Sequence, residues 1–290
     1  MAADRLYGAQ SMIAPLRRVL VRRPDAAFGG ADPAEWHYTA RPDLGRAQEE
    51  HDALVALLRA AGAEVLYHDA PQPGRADSIF VFDPALVTDA GAVILRMGKE
   101  LRRGEERAMA RALEALGIPL LAELEGDALA EGGDLLWLDH DTLAVGLGFR
   151  TNAEGLRQLR TALEPRGVRL LPVELPYFLG PAACLHLLSL ISIVDERLAV
   201  VYPPLMSVPF WQELRRRGFR TVEVPEAEFM TMGPNVLALA PGQCLMLEGN
   251  PETKRRLEAA GCEVLTYRGQ EISLKAEGGA TCLTRPILRA

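Results

Sequence analysis

Four polar residues, widely separated in the sequence, carry the side chains that a nucleophilic enzyme uses: Asp83, Glu131, His186 and Cys282. Cys282 lies between paired glycines and a strand-like segment in EGGATCLTRP (277–286), which predicts an exposed thiolate. An upstream histidine and two carboxylates can activate such a thiolate and hold a cationic substrate. The set therefore predicts a nucleophilic enzyme that acts on a cation.

Each of these residues also has a structural interpretation. Cys282 fits an inert core cysteine as well as a nucleophile, and a histidine among apolar neighbours, such as His186, is more often a buried structural residue. Asp83 precedes a proline, which is a common arrangement in turns. For Asp134 we favour a structural role, binding the backbone amides of the preceding Gly-Gly turn.

A repeated structural unit is expected to position these residues. An apolar strand, an amphipathic helix that ends at a glycine and a second apolar strand recur along the chain. The predicted helices are 46–62, 105–117, 152–167, 208–218 and 251–261. The units that contain them span 16–68, 84–124, 134–175, 184–225 and 235–267.

Five such β–β–α–β units of about 45 residues indicate a repeat architecture, and a closed ring is a natural way to remove exposed sheet edges. Ligands usually occupy the centre of such a ring. Asp83, Glu131, His186 and Cys282 lie at or just before the first strands of a unit, or after the last strand. The repeat therefore predicts that these four residues converge.

The composition is that of a soluble globular protein, with 49% hydrophobic and 24% charged residues among 290. The net charge of −7 argues against a nucleic-acid partner, and we interpret the basic stretches 102–107 and 213–220 as solvated helix faces. Every apolar stretch is shorter than the roughly twenty residues of a membrane span. The N-terminus lacks a signal-peptide pattern, so we expect a cytoplasmic protein without a membrane partner.

The four cysteines, at positions 184, 244, 262 and 282, are widely spaced. Because they form no C-x-x-C pair, we predict neither a zinc site nor a disulfide scaffold. The three cysteines other than Cys282 are expected to be small buried hydrophobic residues. The glycine pairs match no nucleotide-binding pattern, so we expect no cofactor and no metal.

Six segments follow one another along the chain: DSIFVFDPALVT, AVILRMGKELRRGEE, EGGDLLWLD, VGLGFRTNAEG, LHLLSLIS and GGATCLTRP. Together they resemble the dimethylarginine dimethylaminohydrolases, within the guanidino-group-modifying superfamily of amidinotransferases and arginine deiminases. The resemblance implies an α/β fold, a five-bladed pseudo-symmetric propeller called the pentein fold, with residues 1–290 as a single domain. This architecture agrees with the five ββαβ units of the repeat.

The resemblance also implies a role for each central residue. Cys282 would attack the guanidinium carbon, expel the amine and form an S-alkylthiouronium intermediate that water hydrolyses. His186 would protonate the departing amine and then activate water, while Glu131 would orient this histidine. Asp83 would bind the planar guanidinium through its planar carboxylate. A bound cation would itself favour the thiolate.

For the amino-acid end of the substrate, the resemblance implies Asp77 as the partner of the α-ammonium. Arg102 and Arg150 would bind the α-carboxylate, which an arginine fork meets bidentately. The H-x-x-S pattern of His186 and Ser189 favours the dimethylarginine hydrolases. In deiminases and amidinotransferases an acid commonly follows two positions after the histidine.

Two positions depart from the family pattern. Phe82 replaces the acid of the usual F-V-E-D segment, which would remove a polar partner near the substrate and put an apolar ring there. Met97 replaces the proline of the usual R-P-G turn. We therefore expect the reaction class to be retained and leave the guanidino substrate open.

Residues 25–45 form a segment that is long and irregular for a connection inside a compact repeat. One hypothesis is that this segment, or GAQSM (8–12), closes over the substrate. The alternative is a surface loop that packs Trp36 on the ring.

Taken together, the sequence predicts a cofactor-free hydrolase of a small-molecule guanidino compound, with Nω-methylated arginine as the first candidate and citrulline and a methylamine as products. An arginine deiminase or an amidinotransferase would use the same core of cysteine, histidine and acid. A catalytically inactive ligand-binding propeller is the non-enzymatic alternative. Association into a homo-oligomer is left open.

Overall fold

Five small sheets and their connecting helices make up the computed structural model, which describes residues 5–290. The strands, in chain order, are β1 (Leu16–Val21), β2 (Glu64–Tyr67), β3 (Ala85–Val87), β4 (Ala92–Ile94), β5 (Leu120–Glu123), β6 (Leu135–Asp139), β7 (Thr142–Leu147), β8 (Arg169–Glu174), β9 (Ile191–Asp195), β10 (Leu198–Val201), β11 (Arg220–Glu223), β12 (Val236–Ala240), β13 (Gln243–Leu247), β14 (Glu263–Tyr267) and β15 (Arg285–Arg289). The helices are α1 (Ala26–Gly29), α2 (Pro33–Trp36), α3 (Leu44–Ala60), α4 (Glu105–Ala115), α5 (Ala153–Leu163), α6 (Val208–Arg216), α7 (Glu226–Phe229) and α8 (Pro251–Ala259).

All five sheets follow one plan. In four of them the strands are consecutive, in the orders β3-β4-β5, β6-β7-β8, β11-β10-β9 and β12-β13-β14. The first two strands of each unit pair antiparallel, and a helical crossover then brings the third strand parallel to the second. In the remaining sheet, β15 pairs antiparallel with β1, and β1 pairs parallel with β2. The C-terminal strand thus supplies the strand that the first unit, 16–68, lacks in the sequence.

Buried apolar clusters join each sheet to its neighbours. Leu20 of β1 and Ile94 of β4 share one cluster, and similar clusters connect the second, third, fourth and fifth sheets in turn. Leu245 of β13 packs in the same cluster as Val19 of β1, so the fifth sheet contacts the first. The ring is therefore closed, and the prediction of a five-bladed α/β propeller is confirmed.

The predicted helix ends explain how the chain turns back into each sheet. Helices α3, α4, α5, α6 and α8 lie at the five predicted positions. The glycine that follows each helix has a positive φ, a left-handed conformation that glycine adopts without a steric penalty. These glycines are Gly62 (89°), Gly117 (75°), Gly167 (81°), Gly218 (77°) and Gly261 (100°).

Segment 25–45 is more regular than its sequence suggests. It contains α1 and α2, which begin after the N-cap residues Asp25 and Asp32. Trp36 and Tyr38 are buried in the cluster between the first and fifth sheets. The segment is therefore packed on the ring, as the surface-loop alternative predicts.

The structure also tests the expectations about membrane spans and about the two basic stretches. No helix within residues 5–290 is long and apolar enough to cross a bilayer. In the basic stretch 213–220, Arg215 and Arg216 are exposed, whereas Arg217 is half-buried and pairs with Asp139 and Glu213. The prediction of a solvated face is wrong for 102–107, where Arg102 and Glu105 are buried and form an ion pair of 2.8 Å.

Candidate active site

Five residues occupy the same place in the five sheets, in the turn that precedes the first strand. Asp83 precedes β3, Glu131 precedes β6, His186 precedes β9 and Cys282 precedes β15. Cys282 also follows β14, the last strand of the fifth unit, as expected, but the strand β15 after it was not predicted. The fifth member is Asn235, directly before β12, which the sequence analysis missed. Its signal was positional, because Asn235 is the polar residue just before the first strand of the fifth unit.

His186 and Glu131 form a buried pair. Nε2 of His186 lies 2.7 Å from Oε2 of Glu131, whose Oε1 accepts hydrogen bonds from the backbone N–H groups of Gly98 (2.9 Å) and Lys99 (3.0 Å). Burial by itself would raise the pKa of Glu131, but the hydrogen bond with His186 and the charge of Arg150 lower it below its ordinary range. Glu131 therefore stays a carboxylate.

The pKa of His186 moves in the opposite direction. Burial by itself would lower it, but Cys184, Asp134 and Glu131 together raise the pKa well above its ordinary value. The imidazole is therefore expected to carry a proton on both nitrogens at neutral pH. Such a group can donate a proton to a leaving amine.

Asp134 fixes the chain that carries His186. Its Oδ1 accepts from the backbone N–H of Leu187 (2.9 Å), and its Oδ2 accepts from the hydroxyl of Thr151 (2.6 Å). The predicted structural role agrees with these contacts, but the predicted partners are wrong, since the amide of Gly133 donates to Asp83 instead (2.9 Å). Burial raises the pKa of Asp134 to about 6.

The Gly-Gly pair after Glu131 allows a close approach of three turns. A Cβ atom on Gly132 would collide with the backbone oxygen of Phe82, and one on Gly133 would collide with the imidazole of His186. Only glycine leaves room for these contacts. The pair therefore lets the turns of the second, third and fourth sheets meet at the centre.

Cys282 is half-buried, so the prediction of an exposed thiolate is wrong for this structure. Nδ2 of Asn235 donates to its sulfur at 3.4 Å, and Oδ1 of Asn235 accepts from the backbone N–H of Thr281 at 3.1 Å. Burial, together with the nearby Asp83 and Cys184, raises the pKa of Cys282 to about 12, although His186 acts in the opposite direction. The unliganded protein thus holds a protonated thiol.

A second thiol shares the site. Cys244 and Cys262 are buried as predicted, but Cys184 is half-buried, so the prediction is wrong for this residue. Sγ of Cys184 lies 3.6 Å from Nδ1 of His186. Both Cys184 and Cys282 line the same cavity.

Asp83 and Arg102 are in direct contact. Nη1 of Arg102 lies 2.6 Å from Oδ2 of Asp83. The fork of Arg102 formed by Nε and Nη2 contacts Glu105 at 3.1 and 2.8 Å, and Nη2 also donates to the backbone oxygen of Phe80. The bidentate contact that was predicted with a substrate carboxylate is therefore made with Glu105 here.

Asp77 binds a cation, but that cation is a residue of the protein. Its Oδ2 lies 2.6 Å from Nζ of Lys99, and its Oδ1 accepts from the hydroxyl of Tyr38 at 2.6 Å. Nζ of Lys99 also donates to the backbone oxygen of Trp36 and lies 4.9 Å from the centre of its ring. Lys99 was missed by the sequence analysis, since nothing in M-G-K-E distinguishes it from a solvated lysine.

Phe82 does not face this site. Its ring stacks on the guanidinium of Arg285, whose carbon lies 3.6 Å from the ring centre. Phe82 lines a different cavity from the one that contains Cys282 and Asp83. The expectation of an apolar ring beside the substrate is therefore wrong.

Segment 8–12 also borders that other cavity, so its predicted role as a lid over the substrate is wrong as well.

Two cavities meet at Cys282. One is mainly charged and is lined by Trp36, His37, Asp77, Asp83, Lys99, Arg102 and Arg150. The other is mainly apolar and is lined by Phe178, Leu179, Phe229, Met230, Met232 and Pro234. The residues common to both are Cys184, His186, Glu277 and Cys282.

Two carboxylates and the histidine lie close enough together to be considered as ligands of one metal ion. One ligand atom from each of Asp83, Glu131 and His186 lies within 4.8 Å of the others. All three groups already have partners, because Asp83 pairs with Arg102 and Glu131 pairs with His186. A metal ion would have to displace both pairs, so the set fits hydrogen bonding to a planar cation better.

A closed ring of five ββαβ units, with cysteine, histidine and carboxylates converging from successive turns, defines the guanidino-group-modifying α/β propellers. A model of the eukaryotic N,N-dimethylarginine dimethylhydrolases matches residues 36–289. The chain belongs to the dimethylarginine dimethylaminohydrolase family, whose members are hydrolases acting on amidino C–N bonds.

Two relatives and one solved structure illustrate the similarity. The N(G),N(G)-dimethylarginine dimethylaminohydrolase of Streptomyces coelicolor is 34% identical over 93% of this chain and 96% of its own. That of Pseudomonas aeruginosa is 26% identical over 92% and 98%. The structure of a cysteine-to-serine mutant of the Pseudomonas aeruginosa enzyme with citrulline has a TM-score of 0.78 and 25% identity, covering 93% of this chain and 98% of that one.

Proposed function

We propose that this protein hydrolyses Nω-methylated arginine to citrulline and a methylamine, with Cys282 as the nucleophile. The observation that carries the proposal is the position of the Cys282 sulfur, where a charged cavity and an apolar cavity meet beside His186. A methylated guanidinium has the same two-sided character. The cation and the amino-acid end suit the charged cavity, and the methyl groups suit the apolar one.

The first step is the formation of the thiolate. Asp83, on the wall shared with Cys282, binds the substrate guanidinium and brings its positive charge next to the sulfur. A nearby cation lowers the pKa of a thiol, and it also offsets the charge of Asp83 that raises the pKa of Cys282 in the unliganded protein. The substrate thus creates the nucleophile that attacks it.

The second step is the exchange of bonds at the guanidinium carbon. The sulfur of Cys282 forms a bond to that carbon, and the C–N bond to the methylated nitrogen breaks. Nε2 of His186 is occupied by Glu131, so Nδ1 delivers the proton to the leaving amine. Water then loses a proton to the same nitrogen and attacks the carbon. The C–S bond breaks, and citrulline leaves.

The apolar cavity supports an alkylated leaving group. Met230 and Leu179 are exposed apolar side chains at its wall, and Phe229 lies deeper. An unsubstituted guanidinium nitrogen would place polar N–H groups against this wall, whereas N-methyl groups would bury apolar surface there. The cavity therefore favours methylated arginine over the arginine of a deiminase.

The charged cavity supports recognition of an amino acid. We assign the α-carboxylate to Arg150, with Arg102 contributing the Nη1 group that already contacts Asp83. Asp77 binds the α-ammonium, which replaces Nζ of Lys99 as its partner. The displaced Lys99 can then pair with the substrate carboxylate.

Two broader assignments accompany this function. We propose that residues 1–290 work as one domain, supported by the apolar cluster that joins the first and fifth sheets across the described residues. We also propose a cytoplasmic location, supported by the four cysteines, which are all free thiols.

Product analysis tests the proposal. The wild-type protein is incubated in parallel with asymmetric dimethylarginine, monomethylarginine and arginine, and the products are identified by mass spectrometry. We expect citrulline with dimethylamine or methylamine from the first two substrates. Citrulline with ammonia from arginine alone would instead identify a deiminase, and no product from any of the three would contradict the proposal.

A further inference from the structure

A third cavity lies behind the catalytic turns. Thr281 and Phe82 line it, whereas their neighbours Cys282 and Asp83 line the catalytic cavity, so the two cavities lie on opposite sides of the same turns. The polar side chains at its wall are Ser11, Trp137, Thr281, Arg285 and Arg289.

Three of the residues that line this cavity carry hydrogen-bond donors without acceptors. Nε and Nη2 of Arg285, Nε of Arg289 and Nε1 of Trp137 are buried and find no hydrogen-bond partner among residues 5–290. Arg285 is 3% exposed and Arg289 is 7% exposed. All four atoms are donors only, so they cannot satisfy one another.

Within the described part of the chain, the charge of Arg285 is also left without a carboxylate. Its guanidinium stacks on the ring of Phe82, while the nearest acid, Asp83, is turned toward Arg102 and the amide of Gly133. A buried cation with no anionic partner is strongly unfavourable. Consistent with this, burial lowers the pKa of Arg285 to about 9 and that of Arg289 to about 9.

Arg289 is held at the cavity by other contacts. Its Nη1 donates to the backbone oxygen of Ala14 at 2.7 Å, and its Nη2 donates to that of Ala238 at 2.9 Å. These bonds fix the guanidinium, and Nε is its one nitrogen without an acceptor among residues 5–290. The cavity thus has two different arginines. Arg289 is anchored, whereas the Nε and Nη2 edge of Arg285 has no acceptor among the residues that the structure describes.

We propose that this cavity binds a small planar oxyanion, such as a carboxylate, on the Nε and Nη2 edge of Arg285. That edge of a guanidinium matches two oxygens of a planar anion, which gives a bidentate contact. Arg289 and Trp137 supply the other unpartnered donors. The site is separate from the recognition of the substrate carboxylate, because Arg102 and Arg150 line the catalytic cavity.

Thermal unfolding with sodium formate as the probe tests the site. Formate is titrated while sodium chloride holds the ionic strength constant, so that unspecific salt effects cancel. A ligand that binds only the folded protein stabilises it by mass action. We expect a saturable rise of Tm of about 2–4 °C for the wild type. Ligand binding typically raises the free energy of unfolding enough to produce a Tm shift of this size in a protein of this length.

Three variants identify the residues involved. Arg285→Gln removes the charge and the fork, and the saturable rise should disappear. Arg268→Gln removes an exposed arginine that does not line the cavity, and the rise should be unchanged. Trp137→Phe keeps an aromatic ring but removes one donor, so the formate concentration at half-saturation should increase several-fold. This third variant keeps the test informative if Arg285→Gln does not fold.

Other results would overturn the proposal. One is a wild-type Tm that rises without saturation or not at all. Another is an equal formate response in Arg285→Gln or in Trp137→Phe. If chloride raised Tm in a saturable way and by as much as formate does, the proposal of a planar oxyanion bound through two oxygens would be rejected.

Discussion

The thiol of Cys282 determines when the reaction can begin. Its pKa is raised from 9.0 to about 12 in the unliganded protein, first by burial and then by Asp83 and Cys184. The thiolate fraction at neutral pH is therefore very small until a cation binds. Because Asp83 provides the site for that cation, reactivity should depend on the charge of the attacking reagent.

Alkylation kinetics test this dependence. The rate with neutral iodoacetamide should be low at neutral pH and should keep rising with pH above 9, because the thiol pKa is about 12. The rate with cationic chloroacetamidine should be much higher at neutral pH, since its amidinium pairs with Asp83. Modification of Cys282 is measured by peptide mass spectrometry. A plateau near pH 9 with iodoacetamide, or equal rates for the two reagents, would argue against a substrate-assisted thiolate.

Glu131 contributes to the protonation of His186, together with Cys184 and Asp134. Replacing it by Gln removes one of the groups that raise the pKa of His186, so that pKa should fall. In the Glu131→Gln variant the high-pH limb of the kcat profile, which reports loss of the imidazolium proton, should move to lower pH. We expect kcat at neutral pH to fall by about 10²-fold or more, the size of a lost acid–base contribution.

The control for this variant is Glu248→Gln, an exposed carboxylate at the end of β13. Its pH profile should match that of the wild type. A Glu131→Gln profile that falls in height but keeps its shape would show that Glu131 acts on something other than the proton of His186.

At the scale of elements, short turns rather than the strands bring the site together. The turn Gly132–Asp134 touches the turns that contain Phe82 and His186.

Gly133→Ala should push the imidazole away from Glu131 and lower kcat by about 10²-fold, because small displacements of reacting groups are costly in rate. Steady-state kinetics measure the loss.

Gly45→Ala is the matched control for this change. Gly45 is exposed near the start of α3, and a Cβ atom there meets only a contact of 3.4 Å with Asp43. Its kcat should be unchanged, and its free energy of unfolding should rise by about 0.5–1 kcal/mol, since alanine is the better helix residue. Wild-type kcat in Gly133→Ala would contradict the role of the turn.

Segment 25–45 and the turn at 97–102 both contribute residues to the wall of the charged cavity. Lys99 joins them through its bond to the backbone oxygen of Trp36, and it also contacts Asp77. In Lys99→Met, loss of a charge-assisted contact with the substrate carboxylate should raise KM by about tenfold, while kcat changes little. A lower KM would instead indicate that Lys99 only competes with the substrate ammonium for Asp77.

Elements were predicted from the sequence where the signal is local. The five helices and their glycine stops follow from periodicity within each unit, and the structure has them at those positions. The pairing of β15 with β1 joins residues at opposite ends of the chain, and no local pattern encodes it. The same limit explains why β15, the strand after Cys282, was not predicted.

At the scale of the whole molecule, the closed ring turns distant residues into neighbours. Apolar clusters between successive sheets hold the five turns in register around the centre. The convergence of Asp83, Glu131, His186 and Cys282 could be predicted because each lies before the first strands of a repeated unit or after its last strand. The direction of each side chain could not, and adjacent residues such as Phe82 and Asp83 therefore face different cavities.

The presence of two thiols in one site makes the identity of the nucleophile the central question. Cys184 is closer to His186 in sequence and lies 3.6 Å from its Nδ1, whereas Cys282 receives a hydrogen bond from Asn235. Both thiols line both cavities. Our account assigns the attack to Cys282, because it occupies the turn before the first strand of a sheet, as Asp83 and His186 do in their sheets.

The most direct measurement is to trap the covalent intermediate. Wild type, Cys282→Ser and Cys184→Ser are mixed with asymmetric dimethylarginine and quenched in acid, and the adduct is located by peptide mass spectrometry. The account predicts an adduct on Cys282 in the wild type and in Cys184→Ser. It predicts neither adduct nor citrulline in Cys282→Ser. An adduct on Cys184, or citrulline formation by Cys282→Ser, would contradict it.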